Sequence, residues 1–134
     1  VKTILIWSAL PGASRHHFGT DLDIVDASSI PEGYEVQLTP EECSGIFKPF
    51  HDWLTKEIDS QNSFGFERVF IEGRGKIRPE PWHLSYLPGA RPFQEIFDLN
   101  MLKGLYRQTD LACKEVLLDT LDDLAEDYIY PYFL

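Results

Sequence analysis

The pattern of apolar and polar positions predicts several short strands. Residues 21–25 alternate, so that Asp21 and Asp23 point to one face of a strand and Leu22 and Ile24 point to the other. Aromatic and β-branched runs bounded by glycine or proline are also typical of strands. Such runs occur in four further segments, which we expect to be strands or extended chain: residues 3–8, 35–38, 64–72 and 77–86.

A helix that packs on the sheet is predicted over residues 40–60. Thr39 is placed to cap its first turn, and Glu42, three residues later, completes a capping box. Pro49 is expected to bend or split this helix near Phe47, because an interior proline removes one backbone hydrogen bond. Apolar side chains recur at steps of three and four residues and form one stripe: Ile46, Phe47, Phe50, Trp53, Leu54 and Ile58.

The last third of the chain is predicted to be mostly helical. Residues 88–92 contain two prolines and a glycine, so we expect a loop there. Apolar residues at helical spacing then predict one helix over about residues 93–106 and a second over about residues 110–128.

Composition limits the partners of the chain. Its 134 residues, 43% of them hydrophobic, suffice for one globular domain with its own core. The 22 acidic and 12 basic residues give a formal net charge of −10, which argues against nucleic acid or an anionic membrane surface as a partner. The sequence has no apolar run of about 18 residues, so we expect no membrane-spanning segment. Cys43 and Cys113 do not form a C-x-x-C pair and say little about compartment.

Two separated segments carry residues that suit metal chemistry. His16 and Asp23 are seven residues apart, so a regular strand would point them to opposite faces. They can meet at one ion only if the chain turns between them, and Gly19 is placed to make that turn. His83 would add a second nitrogen and leave a fourth position for water. Glu80, three residues before His83, is the natural base for that water.

These segments resemble the signatures of a known enzyme family. The pattern Ser14-x-His16-x-x-Gly19-x-Asp21-x-Asp23 is similar to the S-x-H-x-x-G-x-A-x-D signature of the zinc D-alanyl-D-alanine peptidases, which include VanY- and VanX-type enzymes. The segment Glu80-Pro81-Trp82-His83 is similar to the second signature, E-x-x-H or E-x-W-H. The resemblance implies an α+β fold like that of these enzymes and of the hedgehog domain. In that fold a small, mostly antiparallel sheet carries the zinc site and helices flank it.

The resemblance also implies a role for each residue that matches a signature. The ligands of one Zn²⁺ per chain would be His16, Asp23 and His83, and Glu80 would be the general base and acid. Ser14, Arg15, Asp21, Trp82 and Tyr86 are candidates for substrate contacts.

The sequence departs from the family pattern in two places. Asp21 stands where the signature usually has a small or apolar residue, and it can be either a partner of a metal ligand or a contact for a substrate amine. The family also usually carries an arginine upstream of the first signature, whereas Lys2 is the only basic residue before Arg15. We therefore expect residues 1–134 to be a single metallopeptidase domain that lacks an N-terminal segment. The alternative is that Arg15, Arg74 or Arg78 takes that role.

The function implied by this resemblance is hydrolysis of a peptidoglycan-type peptide by a metal-activated water. The expected activity is that of a D-alanyl-D-alanine carboxypeptidase, with a stem peptide or the D-Ala-D-Ala dipeptide as substrate. The location would be the bacterial cytoplasm or the cell envelope, as a soluble protein. Two alternatives keep the same residues: an L-Ala-D-Glu cell-wall endopeptidase and a zinc-binding module without turnover. An iron(II) oxygenase is disfavoured, because no H-x-D or H-x-E occurs at His16 or His17.

Overall fold

The computed structural model describes residues 2–134 and has an α+β architecture, which confirms the predicted fold class. Three antiparallel strands form one sheet: β1 (Asp21–Asp23), β2 (Phe66–Arg68) and β3 (His83–Tyr86). Six helices surround it: α1 (Lys2–Leu5), α2 (Pro40–Ser44), α3 (Lys48–Asp59), α4 (Leu87–Ile96), α5 (Leu99–Gln108) and α6 (Lys114–Tyr128). Short 3-10 turns cover Arg15–Phe18, Ala27–Ser29 and Tyr130–Tyr132. Within residues 2–134, no helix is both long and apolar enough to cross a membrane.

The sheet has the order β1-β3-β2, so the last strand in sequence lies in the middle. Across the first pair of strands, Asp21 is opposite Ser85 and Asp23 is opposite His83. Directly opposed residues share a face of an antiparallel sheet, and so do residues two apart on one strand. These four polar side chains therefore lie on one face of the sheet.

The predicted helix over residues 40–60 is split, as Pro49 led us to expect. Thr39 and Glu42 form the predicted capping box at the start of α2. The chain then leaves the helix at Gly45 and resumes it as α3. Pro49 lies in the first turn of α3, where its missing N–H costs no intrahelical hydrogen bond. The interruption thus places the proline where a helix tolerates it.

Helix α3 is joined to the sheet through Arg68 of β2. Its guanidinium donates to the Thr55 hydroxyl (2.7 Å) and to the carbonyl of Pro81 (3.1 Å). The main hydrophobic core lies elsewhere, between α5, α6 and the segments that flank β2 and β3. It includes Leu5, Leu10, Val69, Phe70, Ile77, Leu102, Tyr106, Leu117, Leu121, Leu124, Ile129 and Tyr132. Because Phe70 and Ile77 belong to it, this core supports the segment that leads to β3.

Two of the predicted strands are absent from the part of the chain that the structure describes. Residues 3–5 belong to the short helix α1, in which Leu5 enters the core and Ile4 is exposed. Residues 35–38 are irregular, and Leu38 has a positive φ of 55° that does not fit a strand. Local β propensity was misleading here, because a strand needs a hydrogen-bonded partner and neither of these described segments pairs with β1, β2 or β3.

The helix boundaries in the last third also differ from prediction. The expected loop over residues 88–92 is the first half of α4, so that prediction was wrong. Pro88 lies in the first turn of α4, where proline is tolerated. Pro92 costs this helix one backbone hydrogen bond, and the helix nevertheless forms and buries Ala90 completely. The helix expected over residues 93–106 is divided at Asp98, whose side chain caps α5 by accepting from the Asn100 N–H (2.8 Å).

Gly75 packs against Tyr132 of the C-terminal segment, and replacing it tests this contact. Its φ is 135°, and a Cβ built there would lie 2.5 Å from the hydroxyl oxygen of Tyr132. That hydroxyl cannot move freely, because it accepts a hydrogen bond from the Ile77 N–H (2.7 Å). Gly75→Ala should therefore lower the free energy of unfolding by about 1–3 kcal/mol more than Gly73→Ala does. Gly73 is the matched control, since its φ is also positive but a Cβ there meets nothing within 4 Å. Equal losses in urea unfolding would show that the Tyr132 contact yields without cost.

Candidate metal centre

His16 is positioned by the 3-10 turn that precedes β1. Gly19 ends this turn with a left-handed φ of 70°, and its N–H donates to the His16 carbonyl (3.1 Å). The chain therefore turns at Gly19, as the spacing of His16 and Asp23 requires. The Nδ1 of His16 contacts the backbone carbonyl of Asp21 (3.2 Å), and its Nε2 lies 3.4 Å from Asp23 Oδ2.

The second histidine is supplied by the turn that leads into β3. Pro81 and Trp82 occupy the middle of this turn, and the His83 N–H donates to the Glu80 carbonyl (3.1 Å). The Glu80 N–H in turn donates to the Phe70 carbonyl (3.0 Å). Residues three apart in sequence are thus brought together by a proline turn that is anchored to the core.

His83 is almost completely buried, and its two ring nitrogens face different groups. Nε2 is 2.8 Å from Asp21 Oδ2, whereas Nδ1 is 3.2 Å from Asp23 Oδ1 and 3.7 Å from Glu80 Oε2. Among the residues that the structure describes, Nδ1 has no hydrogen-bond partner. A buried nitrogen in that state is costly unless another group binds it.

Three side chains could hold a metal ion together. Two of them, His16 and Asp23, belong to the first signature, and His83 belongs to the second. One ligand atom each from His16, Asp23 and His83 lies within 4.8 Å of the other two. Two imidazole nitrogens and one carboxylate oxygen are a donor set that zinc accepts, with a further position open for water or substrate. The unpartnered Nδ1 of His83 fits this interpretation, because it points into the same cluster.

Glu80 lies beside this cluster and does not belong to it. Burial raises the pKa of Glu80 to about 7, and the negative charge of Asp23 acts in the same direction. A carboxyl group with a pKa near neutrality can both accept and return a proton. A divalent cation bound nearby would lower that pKa again.

A network of buried polar groups lies behind His83. Asp21 accepts hydrogen bonds from Arg15 Nε (2.7 Å) and from the Ser85 hydroxyl (2.7 Å), in addition to its contact with His83. Arg15 Nη1 donates to the Tyr132 carbonyl (2.6 Å), and Nη2 donates to Ser85 Oγ (2.7 Å). Burial by itself would raise the pKa of Asp21, but the hydrogen bonds from His83 and Arg15 and the charge of Arg15 outweigh it and lower the pKa to about 2.

The other residues proposed from sequence as substrate contacts lie in different environments. Ser14 and Trp82 line the cavity beside the metal cluster, where a substrate could reach them. Their contact with substrate stays a prediction. Tyr86 is at the far end of β3 and packs on the Phe66 ring. Arg15 also borders the cavity, but three of its nitrogens are engaged by Asp21, Ser85 and Tyr132.

Arg74 and Arg78 were the other candidates for the role of the upstream arginine. Within the described residues 2–134, neither of them lines this cavity. Arg74 donates to the carbonyls of Arg68 and Val69 (3.3 and 3.1 Å). The Arg78 guanidinium lies over the Trp7 ring, 4.6 Å from its centroid.

The cavity beside the cluster has a volume of about 310 Å³. One wall carries the metal cluster with Glu80 and Trp82, and a second consists of apolar and aromatic side chains from the C-terminal segment. Residues 7–9 near the start of the chain also line the cavity. Sequence reasoning missed this second wall, which includes Tyr128, Ile129, Tyr132 and Phe133. It also missed Ser85, although the period of two in a strand places Ser85 on the same face as His83.

Comparison with known proteins gives a match to a family model and a match to a bacterial relative. The model of the VanY family, described as D-alanyl-D-alanine carboxypeptidase, matches residues 1–89, and this range contains both signature segments. An uncharacterized protein of Haemophilus influenzae is 30% identical over 122 residues, which cover 90% of this chain and 92% of that protein. Similarity to this relative therefore extends into the C-terminal part, beyond the family match. No solved structure matches the chain.

Proposed function

Because the chain belongs to the VanY family of D-alanyl-D-alanine carboxypeptidases, we propose that it is a zinc-dependent peptidase that releases the last residue of peptides ending in D-Ala-D-Ala. Family membership indicates peptidase activity of the D-Ala-D-Ala carboxypeptidase type. The finer assignments, which are the metal, the general base and the bond cleaved, are the content of this proposal. The observation that carries it is the convergence of His16, Asp23 and His83 beside Glu80.

Zinc would be held by His16 Nε2, Asp23 and His83 Nδ1. When bound, it would lower the pKa of a coordinated water and polarise the carbonyl of the scissile bond. Both histidines direct their other ring nitrogen to Asp21, to its carboxylate from His83 and to its backbone carbonyl from His16. The ligand nitrogens are thus left facing one another across Asp23.

Glu80 would move the proton in this reaction. Its Oε2 lies 3.7 Å from the ligand nitrogen of His83, so the carboxylate borders the cluster that would hold the metal and its water. Glu80 accepts the proton as the water oxygen attacks the carbonyl carbon of the peptide. It then returns that proton to the amine of the departing D-alanine as the C–N bond breaks. One carboxyl group thereby serves both steps.

The cavity walls suit a small peptide. The polar wall presents Glu80 and the metal cluster to the reacting bond, and the aromatic wall shields that bond from bulk water. Side chains such as Tyr132 and Phe133 can pack on the methyl groups of alanine residues, which offer only small apolar surfaces. This arrangement supports a short peptide terminus as the substrate.

The proposal is tested by incubating the zinc-loaded protein with three substrates. They are the D-Ala-D-Ala dipeptide, a stem pentapeptide ending in D-Ala-D-Ala, and an L-Ala-D-Glu peptide. We expect mass spectrometry to show loss of one D-alanine from the pentapeptide. Removal of the metal with a chelator should abolish this release, and added Zn²⁺ should restore it.

The other outcomes of this experiment separate the alternatives. Cleavage of the L-Ala-D-Glu peptide alone would identify an endopeptidase with the same metal site. Binding of zinc without cleavage of any of the three substrates would identify a module without turnover. Either result would overturn the carboxypeptidase assignment.

A further inference from the structure

Asp21 contacts both histidines of the metal cluster, through two different parts of the residue. Its backbone carbonyl oxygen lies 3.2 Å from Nδ1 of His16, and its carboxylate oxygen Oδ2 lies 2.8 Å from Nε2 of His83. The family signature usually has a small or apolar residue at this position, and such a side chain could not make the second contact. The second contact therefore depends on the carboxylate of Asp21.

The carboxylate contact determines which nitrogen of His83 carries the proton. The carboxylate oxygen Oδ2 of Asp21 also accepts from Arg15 Nε (2.7 Å), and a carboxylate paired with a buried guanidinium acts only as an acceptor. Nε2 of His83 makes a hydrogen bond to this oxygen (2.8 Å), whereas Nδ1, 3.2 Å from Asp23 Oδ1, makes none within the described part of the chain. We therefore assign the proton to Nε2. In a neutral imidazole the lone pair then lies on Nδ1, the nitrogen that faces Asp23 and Glu80.

Arg15 holds Asp21 in the orientation that this contact needs. Its Nε and Nη2 face the two carboxylate oxygens at 2.7 and 3.4 Å, and both side chains are buried. Nη1 is fixed by the Tyr132 carbonyl (2.6 Å) and Nη2 by Ser85 Oγ (2.7 Å). A buried guanidinium with this many fixed partners restricts Asp21 to one position and compensates its charge.

We propose that Asp21 and Arg15 are positioning residues of the metal site: the Asp21 carboxylate fixes His83 as the Nε2–H tautomer with Nδ1 free for the metal, and Arg15 holds that carboxylate in place. The tautomer follows from the contacts of the chain alone, and the assignment of a metal to Nδ1 rests on the proposed function. The two histidines thus bind through different nitrogens, His16 through Nε2 and His83 through Nδ1. Partners of this kind typically change metal affinity by about 10- to 100-fold when removed.

The first measurement needs no metal and no substrate. The metal-free protein is labelled with ¹⁵N at its four histidines, and each ring is assigned by single replacements with glutamine. We expect the proton of His83 on Nε2 in the wild-type protein. In Asp21→Ala this preference should be lost, whereas His16 should keep its tautomer, because its partner is the backbone carbonyl of residue 21.

A conservative variant separates positioning from general damage to the fold. In Asp21→Asn the amide oxygen can take the place of Oδ2 and accept from His83 and Arg15, while the amide nitrogen faces Ser85 Oγ. This variant should therefore retain the Nε2–H tautomer that Asp21→Ala loses. It also keeps the test available if the alanine variant does not fold.

The second measurement is the zinc dissociation constant, obtained by competition with a chromophoric chelator. We expect the zinc dissociation constant to rise by about 10- to 100-fold in Asp21→Ala and by less in Asp21→Asn. Tyr106→Phe is the control, since it removes a core hydrogen bond to the Pro11 carbonyl (2.8 Å) and lies outside the cavity. Its zinc affinity should equal that of the wild type even if its stability falls.

The outcomes distinguish this inference from the proposed function. An Nδ1–H tautomer in the wild type would overturn it, and so would an unchanged tautomer and zinc affinity in Asp21→Ala. A protein that shows the expected tautomers and affinities but cleaves none of the three peptides would contradict the proposed function and leave the positioning role intact. Normal peptide cleavage by an Asp21→Ala protein with wild-type zinc affinity would contradict the positioning role and leave the proposed function intact.

Discussion

Glu80→Gln is expected to reduce the turnover of a D-Ala-D-Ala peptide by about 10²- to 10⁴-fold, the range that one general acid–base group typically contributes. Glutamine has almost the shape of glutamate, so the turn from Glu80 to His83 and its backbone hydrogen bonds should persist. Glutamine cannot take a proton from water, however, and cannot return one to the leaving amine. The loss should therefore appear in kcat with little change in KM.

Zinc content decides whether such a loss reflects proton transfer. The side chain of Glu80 lies next to the metal cluster and outside it, so the variant should bind one Zn²⁺ per chain as the wild type does. Glu95→Gln is the matched control, because Glu95 is exposed on α4 and does not line the cavity; its rate should not change. Equal rates for Glu80→Gln and the wild type would exclude Glu80 as the base.

His16→Ala is expected to lose zinc and the stability that zinc provides. A metal that binds only the folded chain stabilises it by about 2.7 kcal/mol when its free concentration is 100 times its dissociation constant. For a chain of this size, that corresponds to a rise in Tm on the order of 10 °C. Since His16 supplies one of three protein ligand atoms, the alanine variant should show a much smaller rise on addition of zinc.

The neighbouring histidine provides the control for this experiment. His17 is exposed on the same 3-10 turn and does not belong to the cluster. His17→Ala should therefore keep both its zinc content, measured by atomic emission, and its zinc-dependent rise in Tm. If His16→Ala retained wild-type zinc content, His16 would have to be removed from the ligand set. These measurements require no substrate and remain informative if the peptide specificity is different.

The C-terminal segment links the core to the chemistry of the site. The Tyr132 carbonyl accepts from Arg15, and the Tyr132 hydroxyl accepts from the Ile77 N–H. One residue thus contacts both the network behind His83 and the segment that leads toward the turn at Glu80. The family match ends at residue 89, so this half of the site lies outside the stretch that carries the signatures.

Predictions from the sequence succeeded where the physical cause was local. The capping box at Thr39 and Glu42 depends on residues three apart. The split near Phe47 depends on Pro49, because a helix tolerates proline best in its first turn. The turn at Gly19 follows from the spacing of His16 and Asp23. These features need no knowledge of the rest of the fold.

Predictions failed where a distant part of the chain decides the outcome. Residues 3–8 have the composition of a strand, yet they have no place in the β1-β3-β2 sheet. The prolines of residues 88–92 indicate a loop, yet the burial of Leu87 and Ala90 favours a helix there. In both cases packing outweighed a local preference that is worth only a small free energy.

The sequence by itself indicated which residues meet at the candidate metal centre, because their types suit metal coordination and their segments resemble two family signatures. Tertiary structure alone decided how those residues are used. It placed β3 between β1 and β2, put Asp21 against His83 and left Nδ1 facing the cluster. Contacts between residues more than 60 positions apart depend on strand order and register, and local patterns do not specify these.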